Sequence, residues 1–319
     1  RGLAPGEYPE RWNLSHPDVV TAIHKAYFDA GSNVVCANTF GANPLKFDPD
    51  ELEAIIAAAI ANASAARAAS SAAGEKFVAL DIGPTGRLLR PLGPLDFEDA
   101  VAAFAATVRL GAKHGADLVF IETMNDSYET KAALLAAHEN CDLPVVVSNA
   151  YGADGKLMTG ATPSAMVALL EGMGVTALGA NCSLGPAELR GVMDELLACA
   201  SVPVLFKPNA GLPQAVDGKT VYNVTPEAFA AEVADAVRRG VERGKIVVMT
   251  TQVPNEGSDL TVYHVGGRLK STLRLLEAYD MTTESAVAKL MWILGQTRDF
   301  GEAERLFYRP VARDILYEN

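Results

Sequence analysis

Five places in this 319-residue chain set polar side chains directly after short apolar runs: Asn38-Thr39, Glu122-Thr123, Asn149, Asn181-Cys182 and Asn209. Carboxamides both donate and accept hydrogen bonds, a carboxylate accepts from cations, and an ionised thiol is a nucleophile or a metal ligand. One such residue at a strand end is ordinarily a helix cap, and one such cysteine an inert buried thiol. Five in the same position relative to their runs predict one shared, chemically capable surface. The chain has four cysteines, Cys36, Cys141, Cys182 and Cys199, and no CxxC pair. They read as reduced cytosolic thiols, with Cys141 and Cys199 expected to be buried as small hydrophobes.

The elements that must position these residues alternate. Strand-like runs are expected at Asn33–Phe40, Phe77–Gly83, Asp117–Glu122, Pro144–Asn149, Thr176–Asn181, Pro203–Lys207 and Ile246–Thr251. Most are continuous rather than alternating in polarity, the pattern of parallel strands buried on both faces. Helical patterns fall between them: Pro17–Ala30, opened by Ser15 as its cap, then Asp50–Ala73, Asp96–His114, Ser127–Glu139, Pro163–Met173, Pro186–Ala198 and Pro226–Arg239. A β-α-β-α order implies an α/β fold with crossover helices, either a closed (β/α) barrel or an open doubly wound sheet. No GxGxxG or GxxxxGK[ST] follows a strand, which disfavours the nucleotide-binding open sheets. In a barrel the polar strand ends meet at one mouth.

The formal net charge is −12, from 27 Lys and Arg against 39 Asp and Glu, so the surface repels phosphate backbones and anionic lipid. Neither nucleic acid nor membrane is expected as a partner; no apolar run reads as long enough to span a bilayer, and Arg1–Gly6 shows no apolar leader. A cytoplasmic location is the expectation.

Read together, the strand ends resemble the homocysteine S-methyltransferase family. The resemblance is carried by Arg11-Trp12-Asn13-Leu14-Ser15-His16-Pro17, Asn38-Thr39-Phe40-Gly41-Ala42-Asn43, Gly83-Pro84-Thr85-Gly86, Ile121-Glu122-Thr123, Gly179-Ala180-Asn181-Cys182 and Pro208-Asn209-Ala210-Gly211-Leu212-Pro213. It covers residues 1–240 and implies a (β/α)8-type barrel. It also implies a small-molecule substrate, homocysteine or a related amino acid, whose sulfur is methylated to give methionine. A free thiol has a pKa near ~8.5, so little thiolate exists at neutral pH, and a bound Zn2+ remedies this by Lewis acidity. In the family three cysteines hold that zinc, and Cys182 matches the first. Glu122 is then the group that holds the substrate ammonium, and Asn38, Thr39, Asn181 and Asn209 line the amino-acid end. Methylcobalamin, carried on other domains, is the methyl donor that the resemblance implies.

The departures bear on activity. The family's last strand supplies two further zinc cysteines, yet no cysteine follows Cys199; Val265-Gly266-Gly267-Arg268-Leu269 stands there instead. His264 and Asp259 have no spacing that argues for ligation. The family's first strand also has no counterpart, so an incomplete or modified barrel is expected, with Leu260–Val265 as one route to an eighth strand. From about Glu242 the chain resembles the C-terminal lobe of bacterial-type L-asparaginases, in Gly244–Gln252, Tyr263–Gly266, Asp280-Met281-Thr282 and Ala288–Leu294. The expected organisation is a barrel domain over 1–240 and a smaller α/β lobe over 241–319, joined near Gly240–Gly244, with a homo-oligomer implied by the second resemblance. Three functions follow: a homocysteine methyltransferase, a non-catalytic amino-acid-binding or interaction protein, and an asparaginase-like amidohydrolase. Trp12 is expected to pack over the barrel bottom.

Overall fold

The computed structural model describes residues 3, 6–30, 32–72, 75–211, 214–216, 219–221, 224–244, 248–249, 275–278, 289–290 and 292–310. A 3-10 turn (Pro9–Arg11) and the short helix α1 (Trp12–Ser15) lead into α2 (Pro17–Asp29). Six β/α units then alternate: β1 (Val34–Cys36), α3 (Pro49–Ala69), β2 (Phe77–Ile82), α4 (Phe97–Lys113), β3 (Leu118–Met124), α5 (Ser127–Asn140), β4 (Val145–Asn149), α6 (Pro163–Gly172), β5 (Ala177–Asn181), α7 (Arg190–Cys199), β6 (Val204–Lys207) and, later, α8 (Pro226–Glu242). The six strands form one parallel sheet in sequential order, β1 through β6.

Local chemistry explains the helix starts. Asp48, Asp126, Thr162 and Thr225 each accept a backbone N–H of the following first turn, and Pro occupies the first turn of α3, α6 and α8. Ser15 is not the cap of α2. It ends α1, its hydroxyl donates to Arg11 O at 3.3 Å, and His16 takes the cap position. Helix α7 begins at Arg190 rather than at Pro186, because residues 186–189 form turns first.

Alternate strand residues face the helices. Val35, Val78, Leu80, Ile82, Val119, Ile121, Val145, Val147, Leu178 and Ala180 share one buried cluster with Leu52, Ile55, Ile56 and Ile60 of α3 and Phe104 and Val108 of α4. Burying one such aliphatic side chain contributes about 1.5–3 kcal/mol, so this layer fixes which face of each strand points outward. Helix α3 is long and apolar enough to cross a membrane by length and composition, contrary to the sequence expectation. Its alanines raise its hydropathy, and its apolar stripe is spent on this core.

The intervening residues point the other way, and at the C-terminal tips they are all polar or ionisable: Cys36, Asp81, Glu122, Ser148, Asn181 and Lys207. The Lys207 ammonium on β6 meets the Glu122 carboxylate on β3, three strands away. A flat sheet would hold those backbones about 14 Å apart with both side chains perpendicular to it. The sheet is therefore curled into a half-barrel, and the tips converge on its concave side.

Strand β1 is shorter than expected. After Ala37 the backbone turns, with Thr39 N donating to Ala37 O at 2.7 Å and Ala42 N to Thr39 O at 2.9 Å. The expected seventh barrel strand does not join β6 among the described residues. Its part β9 (Val248–Met249) pairs in parallel with β10 (Leu276–Glu277), while β7 (Gln214–Val216) and β8 (Lys219–Val221) form an antiparallel hairpin. Among the described residues the main sheet thus has six strands and no closure to eight. Leu260–Val265 lies outside the described residues, as do His264, Asp259, Arg268 and Leu269. A second apolar cluster joins Leu276, Ala278, Ile293, Ala303, Leu306 and Phe307, the last three from α9 (Phe300–Phe307).

Candidate active site

The site is built on strand tips where side chains leave the helix layer. At the end of β3 the pairing with β4 shifts register between Ile121 and Met124, a bulge that turns Glu122 and Thr123 out of the regular ladder. Thr123 has φ 62°, and Cys182 and Ser183 just past β5 have φ 58° and 61°. Left-handed backbone costs a non-glycine residue roughly 1–2 kcal/mol, and such strain clusters at functional sites.

Asn181 ties these strained ends together. Its Oδ1 accepts Thr123 N at 3.0 Å and Ser148 Oγ at 2.6 Å; its Nδ2 donates to Thr123 Oγ1 at 2.8 Å and reaches Glu122 Oε2 at 3.5 Å. It is fully buried, so its work is to hold β3, β4 and β5 tips in place under Glu122. Glu122 keeps 13% of its side chain exposed and pairs with Lys207, whose ammonium also lies 4.9 Å from the centre of the Phe120 ring. Burial works against the Lys207 charge, but the hydrogen bond to Glu122 and the nearby Cys36, Glu122 and Asp81 outweigh it and raise its pKa.

Cys36, Asp81 and Glu122 form a second convergence, with Sγ and one oxygen of each carboxylate all within 4.8 Å of one another. Burial first, and then the Glu122 charge, hold the Asp81 carboxyl well above the usual carboxylate range, while Lys207 pulls it back. Burial and the Asp81 charge likewise push the Cys36 thiol well up. Neither residue was singled out as a site residue by the sequence. The signal that would have found them is alternation: in the run Phe77–Ile82 Asp81 shares its face with Ala79, opposite the core residues Leu80 and Ile82.

The residues expected from the sequence fall in different places. Asn38 lines a cavity of about 640 Å³ with Trp12, His24, Cys36 and Asp81, and its Nδ2 donates to Pro9 O at 2.8 Å. Trp12 therefore packs on the mouth side, beside the C-terminal end of β1, and not over the barrel bottom. Its ring stacks on His16 and its Nε1 donates to Glu7 at 2.8 Å. Thr39 is fully buried, its hydroxyl committed to Asp81 by a bond to Asp81 O at 2.8 Å and one from Asp81 N at 3.0 Å. Asn209 is half-buried past β6, its backbone N donating to Leu184 O at 3.0 Å. Cys182 is half-buried and lines a separate cavity of about 430 Å³ with Thr123, Asn125, Tyr151, Met158 and Ser183. Among the described residues it joins no group of three potential metal ligands. Cys141 and Cys199 close helices α5 and α7, at the end of the sheet opposite the mouth; Cys141 is half-buried and Cys199 exposed, not buried as expected.

This arrangement offers paired opposite charges, amide donors and a nearby thiol at one end of a parallel half-barrel. The sequence profile of the homocysteine S-methyltransferase family matches residues 7–267. The chain belongs to the homocysteine S-methyltransferase family. Among curated proteins it is similar to the methionine synthase of Mycobacterium leprae, 31% identical over 237 residues, and to that of Mycobacterium tuberculosis, 30% identical over 232 residues. Each match covers 70% of this chain and 19% of the relative, so the chain spans about a fifth of their length. Among solved structures it shares its fold with the metallated form of the homocysteine methyltransferase MmuM from Escherichia coli, with a TM-score of 0.62, 22% identity and coverage of 77% of this chain and 84% of that one.

Proposed function

We propose that this chain is the homocysteine-binding part of a homocysteine S-methyltransferase, which converts homocysteine to methionine. The observation that carries this reading is the Glu122–Lys207 pair above Asn181. A zwitterionic α-amino acid carries both charges itself. Its ammonium replaces Lys207 at Glu122 and its carboxylate takes the released Lys207, so one ion pair becomes two charge-assisted contacts. Asn181 fixes the Glu122 rim, Asn38 borders the cavity beside it, Asn209 follows the β6 tip that carries Lys207, and Thr39 steadies the β1–β2 tips. The substrate sulfur then points toward the Cys182 side of the mouth.

Zinc held by three thiolates does not fit the residues present. Cys182 is alone at the matched position, Cys141 and Cys199 sit at the far end of the sheet, and the sequence has no cysteine after Cys199. No step of the reaction is therefore assigned to zinc at Cys182. The residues of this chain bind and orient the amino acid, and the methyl group comes from a donor such as methylcobalamin held elsewhere in a longer protein.

The lone Cys182 favours a second reading, an amino-acid-binding protein without methyl transfer. Division of the chain near Gly240–Gly244 is part of the same proposal, supported by the separate apolar cluster around Phe307. Calorimetry with homocysteine, methionine and asparagine, together with a methionine-formation assay with methylcobalamin, tests these readings. Homocysteine binding with turnover supports the methyltransferase. Binding without turnover supports the second reading. Binding of none of the three overturns both.

A further inference from the structure

Three neighbouring strands each bring one potential metal ligand to the same point: Cys36 on β1, Asp81 on β2 and Glu122 on β3. Carboxylates cluster on many protein surfaces without consequence, but Asp81 is only 6% exposed and its Oδ1 has no hydrogen-bond partner. A buried, unsatisfied polar atom costs about 1–3 kcal/mol, and more when charged, so a partner is expected. A second such atom, His24 Nε2, belongs to a buried residue lining the same cavity as Cys36 and Asp81. A positive charge already stands at the rim, the Lys207 ammonium on Glu122.

We propose that Cys36, Asp81 and Glu122 form a binding site for a thiophilic divalent cation of the Zn2+ class, with Lys207 as the internal cation that the metal displaces. One sulfur and two oxygens disfavour Mg2+ and Ca2+, which take oxygen alone, and three protein ligands leave a fourth tetrahedral position open. Bonds of about 2.0–2.3 Å to such a metal place ligand atoms roughly 3.3–3.6 Å apart. Side-chain rotations of little more than about 1 Å close the trio, whose atoms lie within 4.8 Å. Binding deprotonates the Cys36 thiol and releases that proton to solvent. The site uses Glu122 but does not depend on which amino acid the mouth accepts. Glu122 serves the metal or a substrate ammonium, so the two ligands exclude each other.

Titration of the metal-free, reduced chain with Co2+ alone tests this, read by the thiolate-to-cobalt charge-transfer band in the near ultraviolet. One equivalent is expected to develop the band in the wild type and in Cys182→Ser, and none in Cys36→Ser. Lys207→Met is expected to bind at least 10-fold more tightly, and Asp81→Asn at least 10-fold more weakly with the band retained. The Asp81→Asn and Lys207→Met arms decide the matter if circular dichroism shows Cys36→Ser to be unfolded. A band that survives in Cys36→Ser, disappears in Cys182→Ser, or forms in neither wild type nor Lys207→Met overturns the site. Binding of homocysteine, methionine and asparagine in metal-free buffer is a separate measurement. Failure of all three would remove the amino-acid reading and leave the cobalt result standing.

Discussion

Asn181 clamps Thr123 from both sides, accepting its backbone N–H at 3.0 Å and donating to its hydroxyl at 2.8 Å. Thr123 is a β-branched residue at φ 62°, a conformation it does not adopt unaided. The clamp joins strands β3 and β5 across β4 and keeps the Glu122 carboxylate at the rim. The strained backbone and the amide that holds it are therefore one device.

Asn181→Leu removes the partners of Thr123 and Ser148 together and leaves Ser148 fully buried and Thr123 half-buried. A loss of about 2–4 kcal/mol is expected, from one to three kcal/mol for each orphaned group with partial relaxation, measured by urea unfolding. Thr123→Gly relieves the backbone strain while losing one side-chain hydrogen bond, so its stability should stay within about 1 kcal/mol of wild type.

Glu122→Gln keeps the size and hydrogen bonding of the rim but removes its charge. Charge-assisted bonds contribute about 1.5–3 kcal/mol, so homocysteine affinity should fall by roughly 10- to 100-fold in calorimetry. Asn149→Ala serves as the control: it is fully buried, its Nδ2 bonds Met124 O and Thr130 Oγ1, and its loss should lower stability more than affinity.

Glu129, in the first turn of α5, gives a test of pH dependence separate from the Glu122–Lys207 pair. Burial raises its pKa, against the lowering effect of the bonds it accepts from Thr85 N at 2.8 Å and Thr85 Oγ1 at 2.5 Å. A carboxyl whose folded pKa is raised supports folding below the unfolded value, about 4.3, and that support is lost as pH rises through the folded value. Glu129→Gln keeps an acceptor for Thr85 and cannot ionise. Its stability relative to wild type should therefore climb between pH 4 and pH 7.5, measured by urea unfolding at both ends. A flat difference would refute the assignment.

Gly179 lies on the concave face of β5, where an added Cβ would stand 2.0 Å from the Leu205 carbonyl oxygen of the adjacent strand. Backbone cannot yield as a side-chain tip does. Gly179→Ala should cost about 3 kcal/mol or more, at the upper end of overpacking effects, with a lowered midpoint in thermal unfolding.

Much of the sheet was legible because parallel strands bury both faces and so read as unbroken apolar runs. Phe77–Ile82, Val145–Asn149 and Ala177–Asn181 each lie inside an expected strand, and of the helices between them α5 and α6 carry their own side-chain caps, Asp126 and Thr162. The ends were less legible. Asn38 and Thr39 look like strand residues by composition, yet short-range backbone bonds after Ala37 turn the chain there. Pro186 looks like a helix start, but α7 waits until Arg190. The segment around Val248 has strand composition, and only its partner strand, Leu276–Glu277, reveals that it belongs to a different sheet. Glu122 and Asn181 were visible because polar residues at strand ends stand out. Asp81 and Lys207 were not, since Asp81 sits inside an apolar run, before Ile82, and Lys207 precedes a proline, and their convergence at the mouth depends on a curl that no local pattern encodes.

The period of two along these strands does more than shape a pocket. Sliding β2, β3, β5 or β6 by a single residue would turn its charged or amide tip into the hydrocarbon layer and bring an apolar neighbour, such as Ile121 or Ala180, to the mouth. Mis-threading is then penalised at the tip as well as in the oily layer behind it. The polar tips thereby proofread assembly: a sheet in which β3 or β6 has paired out of register cannot also have formed the Glu122–Lys207 bond.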